Sequence, residues 1–419
     1  MPHNPREQLT TQALLVWTGA MLVYVVAIAG RTSLGVAGVE ALEHFHINNS
    51  KLAVFTAVQL GVYALAQIPM GMAIDKFGAR RVLVVGAIVM GLGQVLLGST
   101  SSFWVAILAR ILVGAGDATA FLSVMRILPT WFPMRLTPLF TQLTSAMGQA
   151  GQFISAVPFL ALLGATGWQT AFVSLGAAGI LIGLSALVLV TDSPLSAPTP
   201  PATTPSRLGE VLRNPVCWMG LFNHGLMLMP LIVFTLLWGM PLMTLGMGLD
   251  ESVAASVLVI NTICNVIIGP FHGVLSARSG RNREFLTMAL ATVILLSFLW
   301  FFASPTPRGF LSIAIISGLL GALGPAANYG FDSVRENLPH SVVTTGTGLS
   351  NMGGFTAAML AAQGIGLLLD HHAESIPNWQ DFAAAWFAVY AVWAFAMLGL
   401  VLSRRAFTKR YPGAHRRQG

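Results

Sequence analysis

Arg31 and Arg110 place guanidinium groups inside otherwise apolar stretches, Leu14 to Val39 and Phe103 to Leu122, and Asp117 follows Arg110 by seven residues. A charge at the centre of a membrane helix costs about 2.5–3.5 kcal/mol on insertion scales, so these three groups imply a compensating use. At about 1.5 Å per residue, Arg31 lies roughly 12 Å below the outer end of its stretch at Glu40, and Arg110 roughly 12 Å below Ser102. Two arginines at one depth make an anion clamp, because a guanidinium fork holds a carboxylate by paired hydrogen bonds. Snorkelling of each arginine to the outer headgroups is the competing reading, and the shared depth weighs against it. Asp117 is two turns from Arg110 on nearly the same face. A carboxyl there can exchange a proton as its exposure changes, or stand as a permanent partner of Arg110 or Arg126.

Positioning these groups requires membrane helices. Of the 419 residues 55% are hydrophobic and only 9% charged, too few charges to cover a soluble surface. Apolar segments near the bilayer-crossing length of about 20 residues recur at 14–39, 52–73, 82–100, 103–124, 138–163, 170–190, 216–246, 252–275, 285–303, 309–329, 342–369 and 382–402. Twelve spans are therefore expected, in an all-α membrane protein with both termini cytoplasmic. With that threading 18 of the 22 basic residues fall on the inner side, and only Lys51 and Arg308 on the outer side. That asymmetry is the positive-inside pattern, and a misplaced span would scramble it. The net charge of +7 thus reports topology and contact with anionic lipid, with no nucleic-acid partner implied.

The proline-rich stretch from Thr191 to Arg207 interrupts the apolar pattern as a solvated linker. The expected organisation is a six-helix bundle over 1–191, a cytoplasmic linker over 192–213, a second six-helix bundle over 214–402 and a basic tail over 403–419. The halves share a trace of sequence. Gly71-Met-Ala-Ile-Asp75-Lys-Phe-Gly78-Ala-Arg80-Arg81 aligns with Gly273-Val-Leu-Ser-Ala277-Arg-Ser-Gly280-Arg-Asn282-Arg283 at an offset of 202, keeping both glycines and the last arginine. Duplicated six-helix units are the mark of transporters that rock two bundles about a midplane site. In the first copy the glycines permit close helix approach. Asp75 can cap the next helix or pair with an arginine at the cytoplasmic face, a latch between bundles.

This loop, with the twelve-span layout, resembles the major facilitator superfamily over the whole chain. The set Arg31, Arg110 and Asp117 is similar in particular to its anion:cation symporter branch, which includes galactonate transporters, sialin and vesicular glutamate transporters. That branch carries an arginine in the first span and, in the fourth, an arginine followed seven residues on by an acid. Aspartate stands here where glutamate is usual. The resemblance implies that Arg31 and Arg110 bind a substrate carboxylate and that Asp117 couples transport to protons. It also implies gating by Gly71, Asp75, Gly78, Arg80 and Arg81. Tyr63 and Gln67 in the second span and Asn351 in the eleventh also match the branch and join the expected substrate site. Some bacterial members have a second acid just before the first arginine, where this chain has Gly30.

Further polar candidates lie in other spans. Gln142, Gln149 and Gln152 share a face of the fifth span, and Asn261 and Asn265 sit one turn apart in the eighth. Asn223, His224, Asn328, Tyr329 and Gln363 are weaker candidates, since polar side chains also join helices to one another. The sequence has no phosphate-binding loop with lysine and no Cys/His ligand cluster, so no cofactor, metal or enzymatic activity is expected. The expected function is alternating-access transport of a small organic anion, such as a monocarboxylate or sugar acid, across the cell membrane by a monomer. Proton symport is the favoured coupling. A drug or metabolite exporter, a nitrate-type carrier and a non-transporting sensor on the same fold are the alternatives.

Overall fold

The computed structural model describes residues 8–194, 208–372 and 376–411, and every regular element among them is helical. Most of the expected linker (195–207), the end of the basic tail (412–419) and Arg6 lie outside the described residues.

The chain forms two compact units. The first comprises Met1–Leu208 and Leu338–Gly348. It contains α1 (Thr11–Val36), α2 (Gly38–Phe45), α3 (Asn49–Phe77), α4 (Ala79–Gly98), α5 (Phe103–Trp131), α6 (Thr137–Ile154), α7 (Leu160–Thr166) and α8 (Trp168–Leu189). The second comprises Gly209–Asn337 and Leu349–Gly419. Its helices are α9 (Leu208–Leu212), α10 (Pro215–Ile232), α11 (Gly239–Pro241), α12 (Glu251–Ser279), α13 (Arg283–Phe302), α14 (Phe310–Leu323), α15 (Tyr329–Asn337), α16 (Val343–His372), α17 (Trp379–Ala385) and α18 (Phe387–Arg410). The residues of α16 up to Gly348 belong to the first unit. The expected boundaries differ from these units at that segment, which the sequence reading places wholly in the second bundle. The expected tail is still helical through Arg410.

Eleven stretches among the described residues are long and apolar enough to cross a bilayer, where the sequence reading counts twelve. The difference is Glu251–Phe302, which counts once at 52 residues yet consists of α12 and α13 joined by the turn Gly280–Asn282. Gly280 has φ +44°, which ends α12, while the tight turn keeps the two helices continuous in sequence. Several spans also run on past their apolar limits: α3 reaches Phe77, α5 reaches Trp131, and the tenth continues through a tight turn into α15.

Local signals set the helix ends. Thr10 accepts from the Ala13 amide at 3.1 Å to start α1, Asn48 accepts from Lys51 at 3.0 Å to start α3, and Asn378 with Asp381 forms a full capping box on α17. Pro158 lies in a widened turn, Ser155–Phe159, that joins α6 to α7.

Within the first unit α4 packs against α5 and α8, α3 against α5, and α1 against α5 and α6. At one end an aromatic cluster closes the unit: His44 stacks on Trp168 at 4.6 Å, with Phe45, Phe55 and Phe172 around it. The register of α5 depends on small residues. A Cβ on Gly116 would lie 2.4 Å from the Gly86 carbonyl oxygen of α4, and one on Gly114 would lie 2.6 Å from the Gln59 carbonyl oxygen of α3. Helix α5 is thus wedged between α3 and α4 at backbone contact distance, which fixes the facing of Arg110 and Asp117.

Gly116→Ala is therefore expected to lower the thermal unfolding midpoint of the detergent-solubilised protein, because a backbone carbonyl cannot yield as a side chain can. Gly164→Ala is the control: nothing lies within 4 Å of its Cβ position, so helix propensity, about 0.8–1.0 kcal/mol in favour of alanine, is expected to raise the midpoint.

Candidate functional site

The side chains of α5 that face α1 form the centre of the first unit's polar interior. Arg31 Nε donates to Asp117 Oδ2 at 2.6 Å, and its Nη2 donates to Oδ1 at 3.0 Å. This is the parallel fork of a bidentate ion pair. The Asp117 side chain is fully buried and that of Arg31 is 16% exposed. Tyr63 of α3 covers the guanidinium, its ring centroid 4.4 Å from Arg31 Cζ. Asp117 therefore pairs with Arg31 and not with Arg110 or Arg126, the two partners expected for a permanent pair; Arg126 pairs instead with Asp75 at 3.3 Å.

Arg110 is in a different condition. It is 1% exposed, and its Nη2 makes one long bond of 3.3 Å to the backbone oxygen of Arg31. Its Nε and Nη1 are buried and meet no acceptor among the described residues. The cluster of Arg31, Arg110 and Asp117 thus carries two positive charges and one negative. A buried guanidinium with unmatched donors is a costly arrangement that an anionic ligand with two acceptor oxygens would relieve.

Other expected residues fall around this cluster. Gln67 is fully buried one turn from Tyr63 and donates to its carbonyl oxygen at 3.1 Å. Gln142 is buried on α6, and Gln149 is half-buried on the same helix. Tyr24 was not singled out by the sequence reading. It lies within electrostatic range of Arg31, Tyr63 and Asp117 and packs on Phe121 at 5.6 Å. Its position two turns before Arg31 was the available signal. Gln94, the one polar side chain between Arg81 and Ser99, was likewise overlooked. Its Nε2 donates to the Gly30 carbonyl oxygen at 2.7 Å. A Cβ on Gly30 would lie 2.5 Å from Met90 Cε and 2.9 Å from Gln94 Nε2, the ends of two flexible side chains that would have to move to admit a larger residue beside Arg31.

In the second unit Asn261 donates to the Ser317 carbonyl oxygen at 2.9 Å, joining α12 to α14, and Asn265 is half-buried one turn on. Asn351 is buried and faces His224. Gln363 is exposed on α16. Asp332 is a buried acid that the sequence reading missed, because it lies beyond the apolar limit of its span. It accepts from Ser276 and Arg335, and Arg283 beside it forks onto Glu336 at 2.8 and 3.0 Å.

The expected gating residues also divide. Asp75 accepts from the backbone N–H groups of Thr344 and Thr345 at 3.2 and 2.8 Å and from the Thr345 hydroxyl at 2.6 Å. It caps the first turn of α16, within the first unit, rather than the next helix. The cap of α4 falls to Asp192, which accepts from the Arg80 amide at 2.9 Å. Gly78 carries φ +88° at the turn between α3 and α4, Gly71 faces the Thr344 backbone, and Arg81 is exposed.

A family model described as the Major Facilitator Superfamily matches residues 20–363. The chain belongs to this superfamily. Its relatives are transporters, not enzymes, and the chain is a multi-pass membrane protein. It is 28% identical over 190 residues to a probable sulfoacetate transporter of Cupriavidus necator, covering 45% of this chain and 44% of that protein. It is 22% identical over 400 residues to a probable galactarate/D-glucarate transporter of Escherichia coli K12, covering 84% and 86%. The matched region spans less than half the length of the sulfoacetate relative and of two putative tartrate transporters of Agrobacterium vitis. Among solved structures a bacterial homologue of the iron transporter ferroportin, in its outward-facing state, aligns with a TM-score of 0.72 at 14% identity, covering 93% of this chain and 99% of that one. At that identity the likeness is one of fold.

Removing one partner of a buried ion pair costs about 3–5 kcal/mol, whereas replacing both by apolar side chains is often neutral. Asp117→Ala is therefore expected to destabilise the protein strongly and Arg31→Met combined with Asp117→Leu to restore the unfolding midpoint, both read by thermal denaturation. Equal midpoints for wild type and Asp117→Ala would mean the fork contributes nothing to folding.

Proposed function

We propose that this chain is a secondary active transporter of a small organic anion, working as a monomer by alternating access with proton symport. In this reading Glu251–Phe302 crosses the bilayer twice, giving twelve spans, and both termini are cytoplasmic. The observation that carries it is the Arg110 guanidinium, buried with two donors unmatched beside a neutralised Arg31–Asp117 pair. Relatives named for sulfoacetate, tartrate, L-galactonate and galactarate/D-glucarate support an anionic substrate, since each of those ligands carries a carboxylate.

The arrangement suggests how proton and anion are linked. Arg110 supplies the first contact for the incoming carboxylate. Protonation of Asp117 removes the charge that holds Arg31, so both fork nitrogens of Arg31 become donors for the substrate. Loss of the proton restores the Arg31–Asp117 fork and leaves the anion with one arginine. Because position 30 is glycine, no second acid stands directly before Arg31, and in this reading Asp117 alone serves this step. Tyr63, Gln67, Gln142, Gln149, Asn261, Asn265 and Asn351 are, in the same reading, the further substrate-binding residues. Asp75, with Gly71, Gly78, Arg80 and Arg81, gates the cycle through the cap on α16.

The test is transport in proteoliposomes together with thermal-shift binding, screening small carboxylates against lipophilic cations. Carboxylates are expected to stabilise the protein, and stabilisation by cations alone would favour the exporter alternative. Arg110→Ala is expected to weaken anion binding by about 2–5 kcal/mol while the protein still folds. Asp117→Asn is expected to keep substrate counterflow but lose accumulation driven by an inward proton gradient. Undiminished proton-driven accumulation in Asp117→Asn would remove the carboxyl from coupling and leave it a structural role.

A further inference from the structure

A groove of about 450 Å³ runs along the outside of the second unit between α10 and α18, closed at one end by α9. Its walls are Trp218 and Phe222 from α10 and Phe395, Leu398 and Leu402 from α18. These positions recur at three- and four-residue intervals, so each helix offers one continuous apolar stripe. From Phe395 to Ala406 the stripe on α18 is roughly 16 Å long at about 1.5 Å per residue, close to the thickness of one leaflet of a hydrocarbon core of about 30 Å.

One end of the groove is basic. Arg213 lies in its lining, and Arg410, one turn beyond Ala406 on α18, donates to the Arg213 backbone oxygen at 2.7 Å. Both arginines are exposed, as is Lys409, three residues past Ala406. Arg404 is engaged elsewhere, stacked 3.7 Å from the Phe285 ring centroid. Neither α10 nor α18 contains an acidic residue, and on α9 the acid is Glu210, which has its own interactions. Trp218 is pinned at this end by its indole N–H, which donates to the Leu212 carbonyl oxygen at 2.8 Å. An apolar channel one leaflet long with a cationic mouth and a fixed tryptophan beside it matches one molecule: a phospholipid with an anionic headgroup.

We propose that this groove is a specific site for an anionic phospholipid, its acyl chain lying between Trp218, Phe222, Phe395 and Leu398 and its phosphate held by Arg213 and Arg410. The site is separate from the Arg31, Arg110 and Asp117 cluster, and its occupancy does not depend on what the protein transports. Ordinary annular lipid would exchange freely and would not distinguish headgroups; this site does.

The test is native mass spectrometry of the full chain released from nanodiscs of phosphatidylglycerol or phosphatidylcholine, with thermal shift as a second readout. The wild type is expected to retain phosphatidylglycerol and be stabilised by it, and to lose phosphatidylcholine. At about fivefold in affinity per basic residue near the headgroups, Arg213→Gln with Arg410→Gln is expected to weaken phosphatidylglycerol retention about thirtyfold. Leu398→Trp leaves both arginines in place and fills the exposed groove, so it is expected to abolish retention of the long-chain lipid. Equal retention of both lipids by the wild type, or undiminished phosphatidylglycerol on Leu398→Trp, would overturn the proposal. So would full stabilisation by glycerol phosphate without acyl chains, which would assign the mouth to a free phosphate.

Discussion

Arg31 and Asp117 meet as a bidentate pair between two helices whose remaining side chains are mostly apolar, and the first unit is organised around that contact. Neither charge is tolerable alone at that depth, so α1 and α5 are held in the one register that lets the fork close. The pair neutralises itself and leaves Arg110 as excess positive charge in the same interior. Two of the Arg110 donors meet no acceptor among the described residues, an arrangement that is costly without a compensating acceptor.

Close packing is what makes the electrostatics specific. The glycines before Asp117 bring α5 to backbone contact with α3 and α4, so the helix cannot rotate to hide Arg110 or to offer Asp117 another partner. Gln94 and Met90 lie beside Gly30, and Gln94 ties α4 to the α1 backbone next to Arg31. Among the described residues the charged neighbours of Asp117 are Arg31 and Arg110, so its charge and theirs depend on one another.

The duplicated loop has diverged in its chemistry. In the first copy Asp75 holds the start of α16 through two backbone N–H groups and the Thr345 hydroxyl, with Arg126 alongside. In the second copy the matching position is Ala277, and the acids come from α15 instead: Asp332 holds Ser276 and Arg335, and Glu336 holds Arg283. A buried charge network is kept at both places, but different helices supply it.

The sequence alone determined that this chain crosses a membrane many times and that Arg31, Arg110 and Asp117 are charges set within the apolar helices of the first half. Those conclusions depend on composition, period and depth, which are properties of single helices. The superfamily was legible for the same reason, in the glycine and charge spacing after the second span. The partner of Asp117 was not legible: spacing along the chain pointed to Arg110 or Arg126, and only the packing of α5 against α1 brings Arg31, 86 positions away, into the fork. Tyr24 and Gln94 left faint marks, a two-turn spacing and a lone polar side chain. Asp332 left none, since its span outruns its apolar segment. The cap of α16 by Asp75 joins residues 269 and 270 positions apart, and a partner chosen at that separation is decided by tertiary structure, where hydrogen-bond donors at a helix start find the nearest buried carboxylate.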